Sequence, residues 1–259
     1  MILGFDIGNT STSAGLYRND MTAPDYTFRF PTVKNTGHDD LVRQVFDGFA
    51  RCGADGERKL IQGIAFSSVV PENNRAYHEM ARNTFRVAAH EITCRSNLNF
   101  KIIYDDPEQL GADRIVNAAA AFTEYGGGSI IVDIGTAVTF CVLLEGGVFD
   151  GGIIAPGIGT AIKSLSLRAS RLPEVPFEMP NRLAARDTVN ALKSGFFYGW
   201  LSLADGLIAR IEKDYGRGFR VILTGGYAEA VAKHLQHENI LDPLLAMKGI
   251  KILYDINTR

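Results

Sequence analysis

Two short stretches carry the same chemistry at the ends of apolar runs. From Gly4 the chain reads GFDIGNTSTSAGLY, and half a chain later, from Ile131, it reads IVDIGTAVTFCVLL. In each, an Asp closes an apolar run and is followed by Ile, Gly and a Thr-containing turn. In the first copy Gly8 permits a tight reversal with positive φ that brings bare backbone amides to an anion. Asn9, Thr10 and Ser11 add short side-chain donors, and Asp6 ends a strand, where a carboxylate suits a hydrated cation rather than phosphate. Asp133, Gly135, Thr136 and Thr139 repeat the arrangement. One Asp-x-Gly-x-Thr means little, because Asp-Gly turns are common in hairpins. Two copies at related positions place an anion-binding loop on each of two domains, which is what gripping a polyphosphate requires. The pattern is neither the dinucleotide fingerprint nor the P-loop: GxGxxG and GxxxxGK[ST] are missing, and a strand rather than a helix follows the turn.

The elements that must position these turns follow from the apolar patterning. MILGF and TSAGLYRND read as strands, the second ending in a polar turn. Residues 61–67 read as a buried strand, with Pro71 opening a helix around ENNRAYHEMARNTF. NFKIIYDD reads as a strand, and GADRIVNAAAAFTEYG as an Ala-rich helix stopped by Gly126. The stretch from SIIVDIG to IIAPG reads as three strands joined by Gly-containing turns. The longest helix is predicted over 188–215, a buried strand over FRVILTGG and a helix over 227–236. Strands followed by helices, twice over, predict two α/β halves with a cleft between them. The boundary is expected between 117 and 118, giving domains 1–117 and 118–259.

Bulk composition removes several functions. The chain has 259 residues, 46% hydrophobic and 22% charged, with a formal net charge of −2. A polybasic footprint for nucleic acid is missing, as is an apolar run long enough to cross a bilayer. Asp6 interrupts the first apolar run, unlike a signal peptide. Cys52, Cys94 and Cys141 form no CxxC and read as inert thiols of a reducing compartment. A cytoplasmic protein with neither nucleic-acid nor membrane partners is expected.

DIGNT, SSVVP, LGADRIVNAAAA, VDIGTAVTF, GGIIAPG and LTGG occur in that order, and the similarity extends to the closing DPLLAMKGIKILY. The ordered set resembles the type III pantothenate kinases, members of the actin-like, sugar-kinase and heat-shock ATPase superfamily. The resemblance implies two related actin-like, ribonuclease H-like domains, each a mixed sheet flanked by helices, with an ATP cleft between them. It implies ATP-dependent phosphorylation of pantothenate to 4′-phosphopantothenate, the first step of coenzyme A biosynthesis. ATP would be bound by Asp6, Ile7, Gly8, Asn9, Thr10, Ser11, Thr12, Ser13 and Thr136, with Asp6 near Mg²⁺ through water. Asp133 matches the family's site for a monovalent cation, potassium or ammonium. Asp113 matches the catalytic base. Tyr104, Gly111, Ala112, Asp113, Arg114 and Thr188 match substrate contacts, Thr188 reaching pantothenate bound to the neighbouring subunit of a homodimer with shared sites.

Each of these residues also has a plainer reading. Asp113 in the first turn of a helix complements the helix dipole and would stay ionised. Arg114 suits either bidentate binding of a substrate carboxylate or a surface salt bridge. Tyr104 suits a half-buried strand face, and Thr188 suits a helix N-terminus that needs a hydroxyl for an orphan amide. GGIIAPG and LTGG suit passage close to a nucleotide or mere tight connection. Gly195, Gly199 and Gly206 form a small-residue stripe expected to pack closely on another helix, within the chain or across a dimer, and His234 and His237 a solvated helix face. Lys163 receives no role. The competing function is an actin-like ATP-binding regulator, such as a transcription accessory protein, without turnover; such a switch has no need of the carboxylate in GADR. A sugar kinase of the same superfamily is disfavoured by the short chain and by the acceptor motif.

Overall fold

The computed structural model describes residues 1–18 and 21–258; the polar turn expected at Asn19 and Asp20 lies outside them. The chain divides into two compact units. The first holds Met1–Gly127, Gly146–Phe149 and the C-terminal stretch from Leu244; the second holds Gly128–Glu145 and Asp150–Pro243. The division falls later than the expected 117/118 boundary because one helix, α3 (Ala112–Tyr125), spans that position without a break and ends at Gly126, with φ of 78°.

In the first unit, β1 (Ile2–Ile7), β2 (Ser11–Tyr17), β3 (Tyr26–Pro31), β4 (Gly63–Ser68) and β5 (Ala89–Glu91) form one mixed sheet in the order β3-β2-β1-β4-β5. β1 reads as a nearly continuous apolar run because both of its faces are covered. Leu3, Phe5 and Ile7 pack with Leu41, Val45 and Phe49 of α1 (His38–Arg51) and with Tyr77 of α2 (Pro71–Met80). Fully burying a side chain of this size contributes about 1.5–3 kcal/mol. On the opposite face, a Cβ at Gly4 would lie 3.0 Å from Ile250 of α7 (Leu245–Thr258).

Helix α7 also packs on α3, so closely that a Cβ at Gly249 would stand 1.9 Å from the Val116 carbonyl. The run Ala118–Ala121 leaves α3 without bulk where the helices meet. This is where small residues bring helices together. On α5 (Thr188–Tyr215) nothing among the described residues lies within 4 Å of a Cβ built at Gly195, Gly199 or Gly206, so within the chain the stripe is open, which leaves the expectation of close packing across a dimer.

In the second unit, β7 (Ser129–Ile134), β8 (Ala137–Leu144), β9 (Val148–Pro156), β10 (Arg220–Thr224) and β11 (Asn239–Leu241) follow the order β9-β8-β7-β10-β11. That order is the first sheet's order repeated strand for strand. The first residues of β9, Val148 and Phe149, belong to the first unit, where they pair in parallel with β6 (Lys101–Ile102). The core packs α4 (Ile158–Arg168) and α5 on this sheet, with Ile158, Ile162, Phe197, Leu201 and Ile208 against Ile130, Val132 and Phe140. A short α6 (Ala228–Ala232) occupies only part of the helix expected over 227–236. Among the described residues, no helix is long and apolar enough to cross a membrane.

Candidate active site

The first Asp-Ile-Gly turn joins β1 to β2. Strand register places Arg29, Ser13, Asp6 and Ser67 side by side across β3, β2, β1 and β4, so the four side chains share one face of the sheet. The turn closes through the Gly8 amide, which donates to the Ser11 carbonyl at 3.2 Å. Gly8 does not adopt positive φ. It is needed for closeness instead, since a Cβ there would stand 3.0 Å from that same carbonyl. The Thr32 amide donates to the Thr10 carbonyl, and the Thr12 and Thr32 hydroxyls meet at 2.9 Å. Behind them, Tyr77 donates to the Thr12 hydroxyl, and burial pushes its phenol up to about 12, so it remains a neutral donor. Asn9 and Thr10 are exposed at the tip, whereas Thr12 is buried and works as a brace. Ser67 is fully buried and its hydroxyl has no hydrogen-bond partner among the described residues.

The start of α3 is the second constellation. Gly111 precedes the helix, and a Cβ there would fall 2.5 Å from an Asp113 carboxylate oxygen, so glycine leaves the space this carboxylate occupies. Asp113 accepts the Arg114 amide at 2.8 Å. Burial raises the Asp113 carboxyl above its ordinary value, and the hydrogen bond and charge of Arg114 only partly counter that rise. The helix dipole therefore does not dominate, and the carboxylate is a stronger proton acceptor than an exposed Asp. Ala112 is buried beside it. Arg114 is buried too, with its guanidinium carbon 5.3 Å from the Phe149 ring centre and 5.7 Å from that of Tyr104. That placement excludes a surface salt bridge. Tyr104 is half-buried and follows the two-residue β6 rather than lying within a strand.

The second Asp-Ile-Gly turn is built differently. Gly135 donates to the Ala137 carbonyl at 2.9 Å, closing a shorter reversal, and it too lacks positive φ. GGIIAPG and LTGG both reach this turn within the second unit. A Cβ at Gly157 would lie 2.2 Å from the Gly135 carbonyl, while the Gly157 amide and the Thr160 hydroxyl both donate to the Thr136 carbonyl. Gly225, at φ of 95°, presses backbone against Asp133: a Cβ there would stand 2.4 Å from a carboxylate oxygen. Register puts Asp133 between Thr139 and Thr224, both buried. These glycines serve close approach to the Asp133 turn.

Thr188 opens α5 in the second unit and is exposed, but it is not the cap. Asp187 takes that role, its carboxylate accepting the Asn190 amide at 2.9 Å. His234 and His237 lie beyond α6 rather than on a helix; His234 is solvent-exposed, as expected, with one edge against Phe197, whereas His237 is half-buried and pairs with Asp205 at 2.7 Å. Lys163 is exposed on α4. Among the described residues, no group of three or more His, Cys, Asp or Glu side chains could hold a metal ion. Sequence reasoning passed over Ser67 and Arg29, which become visible only through strand register.

A β-hairpin with a strand-end Asp and a donor-rich turn, repeated on two mixed sheets of identical strand order, is an actin-like fold. A Baf family transcriptional activator structure from Campylobacter jejuni is 22% identical with a TM-score of 0.60, covering 98% of this chain and 97% of that one. The inorganic polyphosphate/ATP-glucomannokinase of Arthrobacter sp. strain KM is 13% identical with a TM-score of 0.50, covering 98% and 97%. At these identities the likeness is one of fold. The family is given by sequence: the type III pantothenate kinase model matches residues 2–210, and the type III pantothenate kinase of Listeria monocytogenes serotype 4a (strain HCC23) is 38% identical over 99% of this chain and 98% of its own length. This chain belongs to the type III pantothenate kinase family, kinases that phosphorylate pantothenate in coenzyme A biosynthesis.

Proposed function

We propose that Asp113 is the group that receives the proton when the primary hydroxyl of pantothenate attacks the γ-phosphorus of ATP. The observation that carries this is the carboxylate's setting: half-buried, raised above its ordinary value by burial, and given its space by Gly111. In a loose transition state the proton leaves late, so Asp113 first orients the hydroxyl and then accepts its proton. Arg114 binds the substrate carboxylate, its planar fork held against Tyr104 and Phe149. Gly111 and Ala112 line the same contact.

The first turn, Asp6 to Ser13, holds ATP phosphates through its amides and hydroxyls, and Thr136 supplies a further phosphate contact from the second turn. Kinases of this family use ATP with a divalent metal, and Mg²⁺ supplies charge neutralisation on the phosphates. Asp6 and the neighbouring Ser67 fit a hydrated ion, since a buried hydroxyl without a protein partner suits a metal-bound water. Asp133, beside the Thr139 and Thr224 hydroxyls, offers the hard oxygens that potassium or ammonium takes.

The second unit exposes Ile154, Leu165, Leu167, Met179 and Leu183, and the open glycine stripe of α5 leaves room for another helix. These features support a homodimer in which Thr188 serves the neighbouring subunit's pantothenate. The remaining partners are small molecules, and the compartment is the cytoplasm. The test is ADP release by the purified chain with Mg-ATP, with and without pantothenate, in potassium and then in sodium. Pantothenate-dependent release, greater in potassium, is the expected result; ATP binding without pantothenate-dependent release in either salt refutes it.

A further inference from the structure

The residues assigned to ATP in the first turn, Asp6 to Ser13, include one acid and no cation. A nucleotide triphosphate carries several negative charges, and its transfer chemistry relies on positive groups at the phosphate oxygens. The structure places one such group at this turn. Arg29 stands on β3 opposite Ser13, which stands opposite Asp6, and all three side chains lie on one face of the sheet. Its guanidinium reaches back to the turn itself: Nε donates to the Ser11 hydroxyl at 2.8 Å, and Nη2 donates to the same oxygen.

That pairing is chemically incomplete. Two parallel N–H groups match the two oxygens of a carboxylate or phosphate, yet here both converge on one neutral hydroxyl. Among the described residues, no carboxylate forms an ion pair with Arg29. Arg43, Arg58, Arg75, Arg95 and Arg217 each have such a partner. Arg29 is also exposed, so little packing holds it and its head is free to move by the width of one oxygen.

We propose that Arg29 is a further ATP ligand, whose fork moves from the Ser11 hydroxyl to the terminal phosphates of the bound nucleotide. Ser11 parks the guanidinium at the rim of the turn while the nucleotide is away, and is released to donate its own proton to phosphate when the nucleotide arrives. The proposal rests on the first turn being the phosphate loop, and its test separates the two.

Binding of ATP, ADP and AMP to the full chain is measured by calorimetry with Mg²⁺ for the wild type, Arg29→Gln, Arg29→Lys and Thr10→Val. Arg29→Gln is expected to weaken ATP by at least about tenfold, the size of one charge-assisted hydrogen bond. ADP loses less, AMP is unchanged, and the salt dependence of ATP binding flattens. Arg29→Lys keeps the charge without the fork and falls between wild type and Arg29→Gln. If Thr10→Val weakens ATP while Arg29→Gln binds it like the wild type, the loop reading stands and Arg29 is only a surface residue. If neither variant weakens ATP, the loop reading falls and the proposal falls with it. Equal losses for ATP, ADP and AMP in Arg29→Gln mark general damage and overturn the proposal as well.

Discussion

The two Asp-Ile-Gly turns share a sequence and a place in the sheet, yet the first leans mainly on side chains, and the second mainly on close backbone approach, joined by the Thr160 hydroxyl. At Gly8–Ser11 the support comes from Thr32, Tyr77 and Arg29, and the tip residues Asn9 and Thr10 stand exposed. At Gly135–Ala137 two glycines from distant stretches, Gly157 and Gly225, press their backbones onto the turn at distances no side chain allows. A turn braced by side chains can present a variety of donors and adjust to phosphate oxygens. One fixed by backbone contacts adjusts less and brings carboxylate, hydroxyl and carbonyl oxygens together, which suits a desolvated cation. Equal motifs therefore do not imply equal surroundings.

The largest expected effect tests a residue outside both turns. Asp113→Asn is expected to retain ATP binding while turnover falls by about 10²–10⁴-fold, the usual worth of a positioned base; near-normal turnover rejects the assignment. The wild type's acid limb in kcat/KM should lie above the ordinary carboxylate value, because burial raises this group. A carboxyl raised in the folded state stabilises below its unfolded pKa, and that contribution is lost as pH rises through the folded value. Asp113→Asn should therefore melt no lower than wild type at neutral pH, and its advantage should shrink on acidification.

Gly225→Ala strikes the backbone brace. Positive φ and the contact with Asp133 both oppose a Cβ, so the potassium-over-sodium preference should vanish and the melting temperature drop. Asp133→Asn should remove the same salt preference, by about tenfold in rate, with ATP affinity little changed. An equal loss of ATP affinity in Asp133→Asn would put Asp133 in nucleotide binding alongside Thr136 and reject the cation assignment. The smallest effect is expected at Asp187→Ala, which removes the α5 cap and should lower the melting point by about 2–4 °C. Hydrogen bonds from Asn190 lower the Asp187 carboxyl, so its contribution is present above the ordinary Asp value and lost as pH falls through the folded one.

Much of the fold was legible because local chemistry agreed with it. The α5 limits, 188–215, coincide with the observed helix, since Asp187 and Gly216 mark its ends within an unbroken helical stretch. The three strands from Ser129 to Pro156 were bounded by their glycine turns. Helix α7 was not read as a helix: its apolar residues form a nearly unbroken buried run from Leu245 to Leu253, which burial alone does not distinguish from a buried strand. β3 went unassigned although Tyr26, Phe28 and Phe30 alternate with Thr27 and Arg29 in the sequence, the period of a half-buried strand. At the site, the turn residues and Asp113 could be named from their motifs, while Arg29 and Ser67 could not, lying 23 and 61 residues from Asp6 in sequence yet in the same row of the sheet, two strands and one strand away.

By itself the sequence determined the repeated turns, the order of strands and helices around them, and the family, because these depend on local residue types and their linear order. The tertiary structure decided what pairs across strands, which glycines serve close approach rather than left-handed φ, and how burial raises Asp113. Those outcomes depend on segments far apart in the chain meeting at van der Waals distance, and desolvation is a property of the neighbours a residue acquires on folding.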